Sequence, residues 1–264
     1  MIIADEKTAA PRLCAAPWAL ADGAAGSESG ERRGKRQFVF FGDSITDPAH
    51  IGCTANYWEF LAKDLGITPL VYGVNGHQMK QLDGQAAKFA AEHPEGADAI
   101  FVFAGTNDYN SDVPLGEWFS EAMEMTNHNG REVRRRHRAF VYDDATFRGR
   151  INILMRRLRS QWPSTPVYLL TPIHRGYAEF GPANIQPDES FANGAGLFID
   201  DYVAAVKEAG NVWAATVIDI NAESGLFPLF PEHAPFFHDA VTDRLHPSAA
   251  GHRMIANAIE RHLH

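Results

Sequence analysis

Four short clusters hold residue types able to do chemistry together: Gly42-Asp43-Ser44-Ile45-Thr46, Gly73-Val74-Asn75-Gly76-His77, Gly105-Thr106-Asn107-Asp108 and Asp243-Arg244-Leu245-His246. A serine hydroxyl is a poor nucleophile until a base removes its proton, and a neutral imidazole is the natural base. A carboxylate must then hold the tautomer and orientation of that ring. The Asp-x-x-His spacing can bring both side chains to one side of a turn, so Asp243 can reach Nδ1 of His246. The attacked carbonyl becomes an oxyanion and needs fixed donors. The backbone N–H groups of Ser44 and Gly76 and the side-chain amide of Asn107 would supply three, and glycine at 76 lets the backbone approach closely.

Each cluster alone has a plainer explanation. Asp43 and Ser44 can cap a helix, Gly76 and Asn107 can make turns, and Asp243 with His246 can open the last helix. Their order along the chain, and their place at the ends of strands, is what favours chemistry.

Those strands follow from the pattern of apolar residues. Phe38-Val39-Phe40-Phe41 is a continuous apolar run ending at Gly42, which predicts a strand covered on both faces. Pro69-Leu70-Val71-Tyr72, Ala99 to Phe103, Pro166 to Leu170 and Val212 to Ile220 predict four more. Tyr57, Leu61 and Leu65 recur at helical spacing before Gly66. Phe147, Ile151, Leu154, Met155, Leu158 and Trp162 form a second helical stripe. A third helix is expected from Phe198 to Ala209, with Gly210 as its stop. A last one is opened by Pro247 and carries Ile255, Ile259 and Leu263 on one side. Alternation of this kind predicts a parallel sheet with helices on both faces, and ligands bind at the carboxyl edge of such sheets.

With Ser44, Gly76, Asn107 and His246 in four blocks, the chain resembles the GDSL or SGNH hydrolases over residues 37–264. The resemblance implies a flavodoxin-like three-layer α/β/α sandwich with five parallel strands in the order 2-1-3-4-5. It also implies metal-independent ester hydrolysis through an acyl-serine, with Ser44, His246 and Asp243 catalytic and Ser44, Gly76 and Asn107 forming the oxyanion hole. Ile45 stands where the first block usually has Leu, and His77 follows Gly76. Members include lipases, arylesterases, carbohydrate deacetylases and some acyltransferases. An acyltransferase, or a non-catalytic carbohydrate- or lipid-binding module on the same scaffold, are the alternatives.

Asp43, His77 and His174 are candidates for contact with substrate, although His77 and His174 can equally be satisfied loop histidines. Trp58, Trp118, Phe236 and Phe237 can line a sugar platform or an acyl groove, but aromatics more often belong to the core. His238, Asp239 and His246 raise a metal site as a rival. No closely spaced ligand pair accompanies them, so neither metal nor cofactor is expected.

Residues 109–146 interrupt the strand–helix alternation with a polar insertion that carries the basic run Arg131 to Arg138. Against 33 Asp and Glu the chain has 24 Lys and Arg, a net charge of −9, which makes this run a solvated face rather than a nucleic-acid surface. The insertion can form one wall of the ligand site. It is polar and offers no greasy lid, which leans the substrate toward short acyl groups, such as acetyl on a saccharide. Only two cysteines, Cys14 and Cys53, are present, so a disulfide scaffold is excluded. No apolar run reaches the ~20 residues of a membrane helix.

Residues 1–36 differ in composition. Leu13 to Ala21 is apolar, but Pro17 interrupts it and Asp5 and Glu6 occupy the place of a basic region. The expectation is a poorly ordered leader, or part of a longer upstream segment, rather than a signal peptide. The default location is then cytoplasmic, with secretion left open. The remainder, 37–264, is expected to form one domain. Its oligomeric state is not legible.

Overall fold

The structure is a computed structural model that describes residues 35–263, so the leader expected at 1–36 falls outside the described residues except for its last two. Strand β1 (Gln37–Gly42) is buried along almost its whole length. Its side chains alternate between two separate cores: Val39 and Phe41 enter one, Phe38 and Phe40 the other. A strand covered on both faces has no polar side to alternate with, which is why the run is continuously apolar.

β1 pairs in parallel with β2 (Thr68–Val71) on one side and β3 (Ala99–Phe103) on the other. β6 (Val167–Leu170) and β9 (Thr216–Ile218) extend the sheet beyond β3, giving five parallel strands in the order β2-β1-β3-β6-β9. By position among the parallel strands this is 2-1-3-4-5, the expected flavodoxin-like order. Helices α1 (Tyr57–Leu65) and α7 (Ala249–Glu260) cover the face that holds Phe38, Phe40 and Phe101. Helices α2 (Met79–Glu92), α4 (Phe147–Gln161) and α5 (Ile199–Trp213) cover the other. The short helices α3 (Thr106–Asn110) and α6 (Ile220–Glu223) follow strand ends. Among the described residues no helix is long and apolar enough to cross a membrane.

Three boundaries differ from expectation. Helix α5 does not stop at Gly210 but runs on to Trp213, and β9 is correspondingly shorter. Gly210 is a packing residue: a Cβ there would lie 2.5 Å from Cγ2 of Val217. The helix ends instead at Ala214, in the left-handed conformation. Pro247 closes a strand, and α7 is capped by Ser248, whose hydroxyl accepts the Gly251 N–H. Helix α2, whose apolar residues Met79, Leu82, Ala86 and Phe89 follow a helical period, is an element beyond those expected.

Within 109–146 the chain forms an antiparallel hairpin, β4 (Phe119–His128) and β5 (Arg131–Phe140), paired over ten residues. Its turn is Asn129-Gly130, both at positive φ, the geometry that hairpin twist requires. Most of it is exposed, and its base is held by Phe140 stacked 4.5 Å from Trp213. A small antiparallel sheet completes the fold in the order β10 (Phe237–Asp239), β11 (Asp243–Pro247), β7 (Ala178–Glu179) and β8 (Ile185–Gln186).

Candidate active site

The clusters singled out above meet at the carboxyl edge of the sheet. Ser44 follows β1, in a turn where the Asp43 carbonyl accepts the Thr46 N–H. Gln85 of α2 fixes the end of β1 from both sides: its Oε1 accepts the Gly42 N–H at 3.0 Å and its Nε2 donates to the Gly42 carbonyl at 2.8 Å. His246 and Asp243 come from β11. The Asp243 Oδ1 accepts the N–H groups of Leu245 and His246, which folds the strand end into a rigid local turn.

The side chains then form one series. Oδ2 of Asp243 lies 2.9 Å from Nδ1 of His246, and Nε2 of the same ring lies 3.0 Å from Oγ of Ser44. All three are buried, at 4, 5 and 7 % exposure for Asp243, His246 and Ser44. Burial pushes the Asp243 carboxyl up. The hydrogen bond and charge of His246, with two backbone N–H groups, outweigh this and hold it below the usual carboxylate range. An ionised Asp243 beside Nδ1 orients the ring and leaves Nε2 facing the hydroxyl.

Gly76 occupies the third position of a turn closed by the His77 N–H on the Val74 carbonyl, with φ +78°. A Cβ there would meet nothing within 4 Å, so the glycine serves backbone conformation rather than packing against neighbouring protein atoms. Asn107 lies in α3, and its Nδ2 donates to the His77 carbonyl at 3.0 Å. An amide nitrogen carries two protons, so one anchors the side chain and one is left over. Among the described residues, the Ser44 and Gly76 N–H groups and this second Asn107 proton have no protein acceptor. Asp108 holds α3 in place, accepting from the Met79 N–H at 2.8 Å and from Arg150 at 2.7 Å.

A cavity of about 280 Å³ opens over Ser44 and His246. Asp43, Asn75, Gly76 and Asn107 line one side, and Phe180, Asn184 and Gln186 the other. This second wall is therefore built by the β7–β8 hairpin and not by the insertion at 109–146. Two-residue strands carry no periodic signal, so the sequence did not mark this wall. Phe180 lies 5.4 Å from the His246 ring, centroid to centroid.

The remaining candidates are placed as follows. The Asp43 carboxylate borders the cavity while accepting the Ile45 N–H, and burial pushes its pKa up to about 7. His77 does not line the cavity; its Nδ1 accepts from Gln85 at 2.9 Å. His174 is likewise absent from the lining, paired instead with Glu189 at 2.7 Å and edge-on to Phe227. Trp58 donates to the Thr46 carbonyl and Trp118 to Glu208, while Phe237 is core. None of the four aromatics weighed above, Phe236 included, lines the cavity. His238 is bonded to the Gly52 carbonyl and Asp239 caps Val241 and Thr242. Among the described residues no three metal-ligating side chains converge.

Sheet order and cleft position define the class: a doubly wound α/β/α protein with its ligand site at the carboxyl edge of the strands. The chain belongs to the GDSL-like Lipase/Acylhydrolase family, whose model matches residues 40–254. That membership supports hydrolysis of ester substrates as its class of reaction. A protein from Lactobacillus plantarum is 30 % identical, with a TM-score of 0.65 over 87 % of this chain and 96 % of its own. A possible lipase from Chitinophaga pinensis is 21 % identical with a TM-score of 0.62, covering 87 % of this chain and 99 % of its own. A member of the lipolytic G-D-S-L family from Veillonella parvula is 17 % identical with a TM-score of 0.53, covering 85 % and 96 %. At those two identities the likeness concerns the fold alone. No curated protein gives a significant match.

Proposed function

We propose that the protein hydrolyses carboxylic esters through an acyl-serine intermediate. The observation that carries this reading is the unbroken series from Asp243 through His246 to Ser44, with both contacts at hydrogen-bond length. His246 Nε2 takes the Ser44 proton as Oγ attacks the substrate carbonyl carbon. The carbonyl oxygen gains the negative charge and accepts from the Ser44 N–H, the Gly76 N–H and the free proton of Asn107. As the tetrahedral intermediate collapses, His246 returns the proton to the leaving alcohol oxygen. Water, deprotonated by the same nitrogen, then releases the acid and restores Ser44.

A small cavity with Asn75, Asn107, Asn184 and Gln186 in its lining supports short acyl groups and a polar alcohol portion, a saccharide among them. Mass spectrometry of enzyme quenched during turnover of p-nitrophenyl acetate tests the covalent step. One acetyl group on the peptide that contains Ser44 is expected. Steady turnover with no acylated peptide under rapid quench contradicts it. A series of p-nitrophenyl esters of increasing acyl length, run beside acetylated sugars, tests the substrate class. Rates that rise with acyl length contradict the short-acyl reading.

A further inference from the structure

Beside the cavity over Ser44 lies a second chamber of about 330 Å³, and Asn184 and Gln186 line both. Tyr109, Asn110, Asp112, Phe191 and Arg175 form part of the rest of its lining. Arg175 is only 1 % exposed, yet no carboxylate among the described residues lies within ion-pair distance of its guanidinium. Its Nη1 donates to the Asn110 Oδ1 and its Nη2 to the Gln186 Oε1 at 3.2 Å, both neutral acceptors. Its Nε has no partner among the described residues. The Tyr109 ring lies 5.1 Å from the guanidinium carbon, and the charges of Glu189 and Asp188 favour the cation from beyond ion-pair distance.

A buried cation is ordinarily paired, because removing it from water carries a desolvation cost that neutral amides offset only in part. The acids nearby do not pair with it. Glu189 is taken by His174 and by the backbone N–H of Arg175, Asp188 by Ser190, and Asp112 by the Gly194 N–H. A planar guanidinium matches a carboxylate or a phosphate oxygen pair.

We propose that this chamber binds an anionic group, a carboxylate or a phosphate, carried by the ester whose carbonyl sits over Ser44, with Arg175 as its cation. The Asn110, Gln186 and Asn184 amides form a chain of hydrogen bonds between the two chambers, Gln186 accepting from Asn110 at 2.8 Å and donating to Asn184 at 3.0 Å. Rotation of these amides transfers the Arg175 donors to the anion. The proposal rests on Ser44 being the reacting group, and its test separates the two ideas.

Two matched pairs of esters place the charge on either side of the scissile bond: p-nitrophenyl hemiadipate against p-nitrophenyl hexanoate for the acyl side, and para-acetoxybenzoate against phenyl acetate for the alcohol side. In at least one pair, Arg175→Gln is expected to lower kcat/KM for the anionic member by about tenfold to hundredfold more than for the neutral member, the scale of a hydrogen bond to a charged group. Equal losses within both pairs overturn the proposal. If Arg175→Gln does not fold, the wild-type protein decides. Saturable binding of adipate or inorganic phosphate to it in titration calorimetry, at fixed ionic strength, supports the proposal; its absence overturns it. If no neutral ester is turned over, it is the Ser44 reading that fails, and titration calorimetry with phosphate and adipate still decides the chamber: heat of binding abolished in Arg175→Lys or Arg175→Gln supports it, and no heat overturns it.

Discussion

The carboxylate of Asp47 accepts the Asn75 N–H at 2.7 Å, tying the loop after Ser44 to the turn that carries Gly76. Its other oxygen accepts the Ala49 N–H at 2.7 Å and its carbonyl accepts from Asn56, so the tie is anchored in its own loop. Asp47 does not itself line the cavity but sets the distance between Ser44 and the proposed oxyanion donor at Gly76. Asp47→Ala is therefore expected to lower kcat by up to about 10², the usual effect of an ångström-scale misplacement, while KM changes little. Asp47→Asn keeps one acceptor and should recover part of the loss. A shift confined to KM, or to thermal stability, contradicts a positioning role.

Asn107 and Asp243 should fail differently when altered. Asn107→Ala removes one donor that matters only when the oxyanion forms, a loss of about 10²–10³ in kcat with KM little changed. Asp243→Asn preserves shape but favours the wrong tautomer of His246, a loss nearer ~10⁴. Steady-state kinetics on p-nitrophenyl acetate compare the two. A normal kcat in either variant removes that residue from its assigned role.

Asp43 gives a dependence of stability on pH. Burial raises its folded pKa to about 7, above the value of an unfolded aspartate, so the folded state binds the proton more tightly. The contribution is fully present below the unfolded pKa and is lost as pH rises through about 7. The stability of wild type relative to Asp43→Asn should thus decline between about pH 4 and pH 7 and level off above. Urea melts of both proteins across that range provide the measurement, and a gap that grows with pH contradicts the assignment.

The β4–β5 hairpin contributes nothing to the lining of the cavity over Ser44. Replacing residues 121–138 by an Asn-Gly turn keeps the Ser120–Ala139 pair and the Phe119, Phe140 and Trp213 contacts at its base. Turnover of small esters should be essentially that of wild type. A large fall in kcat/KM, with melting temperature retained, would give the hairpin a part in the site.

What could be read from the sequence depended on where each residue is buried. β1 and β3 were legible because both faces of each strand are covered, so four or five apolar residues run together. Helix α2 was harder: its exposed face is polar and Gly84 lies in its middle, although Met79, Leu82, Ala86 and Phe89 follow the helical period. The Asn129-Gly130 turn is a strong hairpin signal, masked by the charge-rich strand that follows it. Arg131 to Arg138 reads as a basic patch along the chain, yet in the hairpin Glu121 pairs with Arg136 and Arg138 from the opposite strand. In the candidate site, three clusters were legible at the ends of main strands and a fourth as the Asp243–His246 pair, which lies on β11 of the small sheet. Asp47, Gln85 and Arg175 were not, because their value lies in partners 28, 43 and 65 positions away.

The proposed chemistry requires Ser44 as the nucleophile. An organophosphonate ester offered to the wild-type protein should label it once, on Ser44, with loss of ester turnover in step with labelling. Ser44→Ala should keep the melting temperature, take no label and turn over no ester above background. Labelling at another residue, or sustained turnover by the folded Ser44→Ala protein, would contradict the serine mechanism.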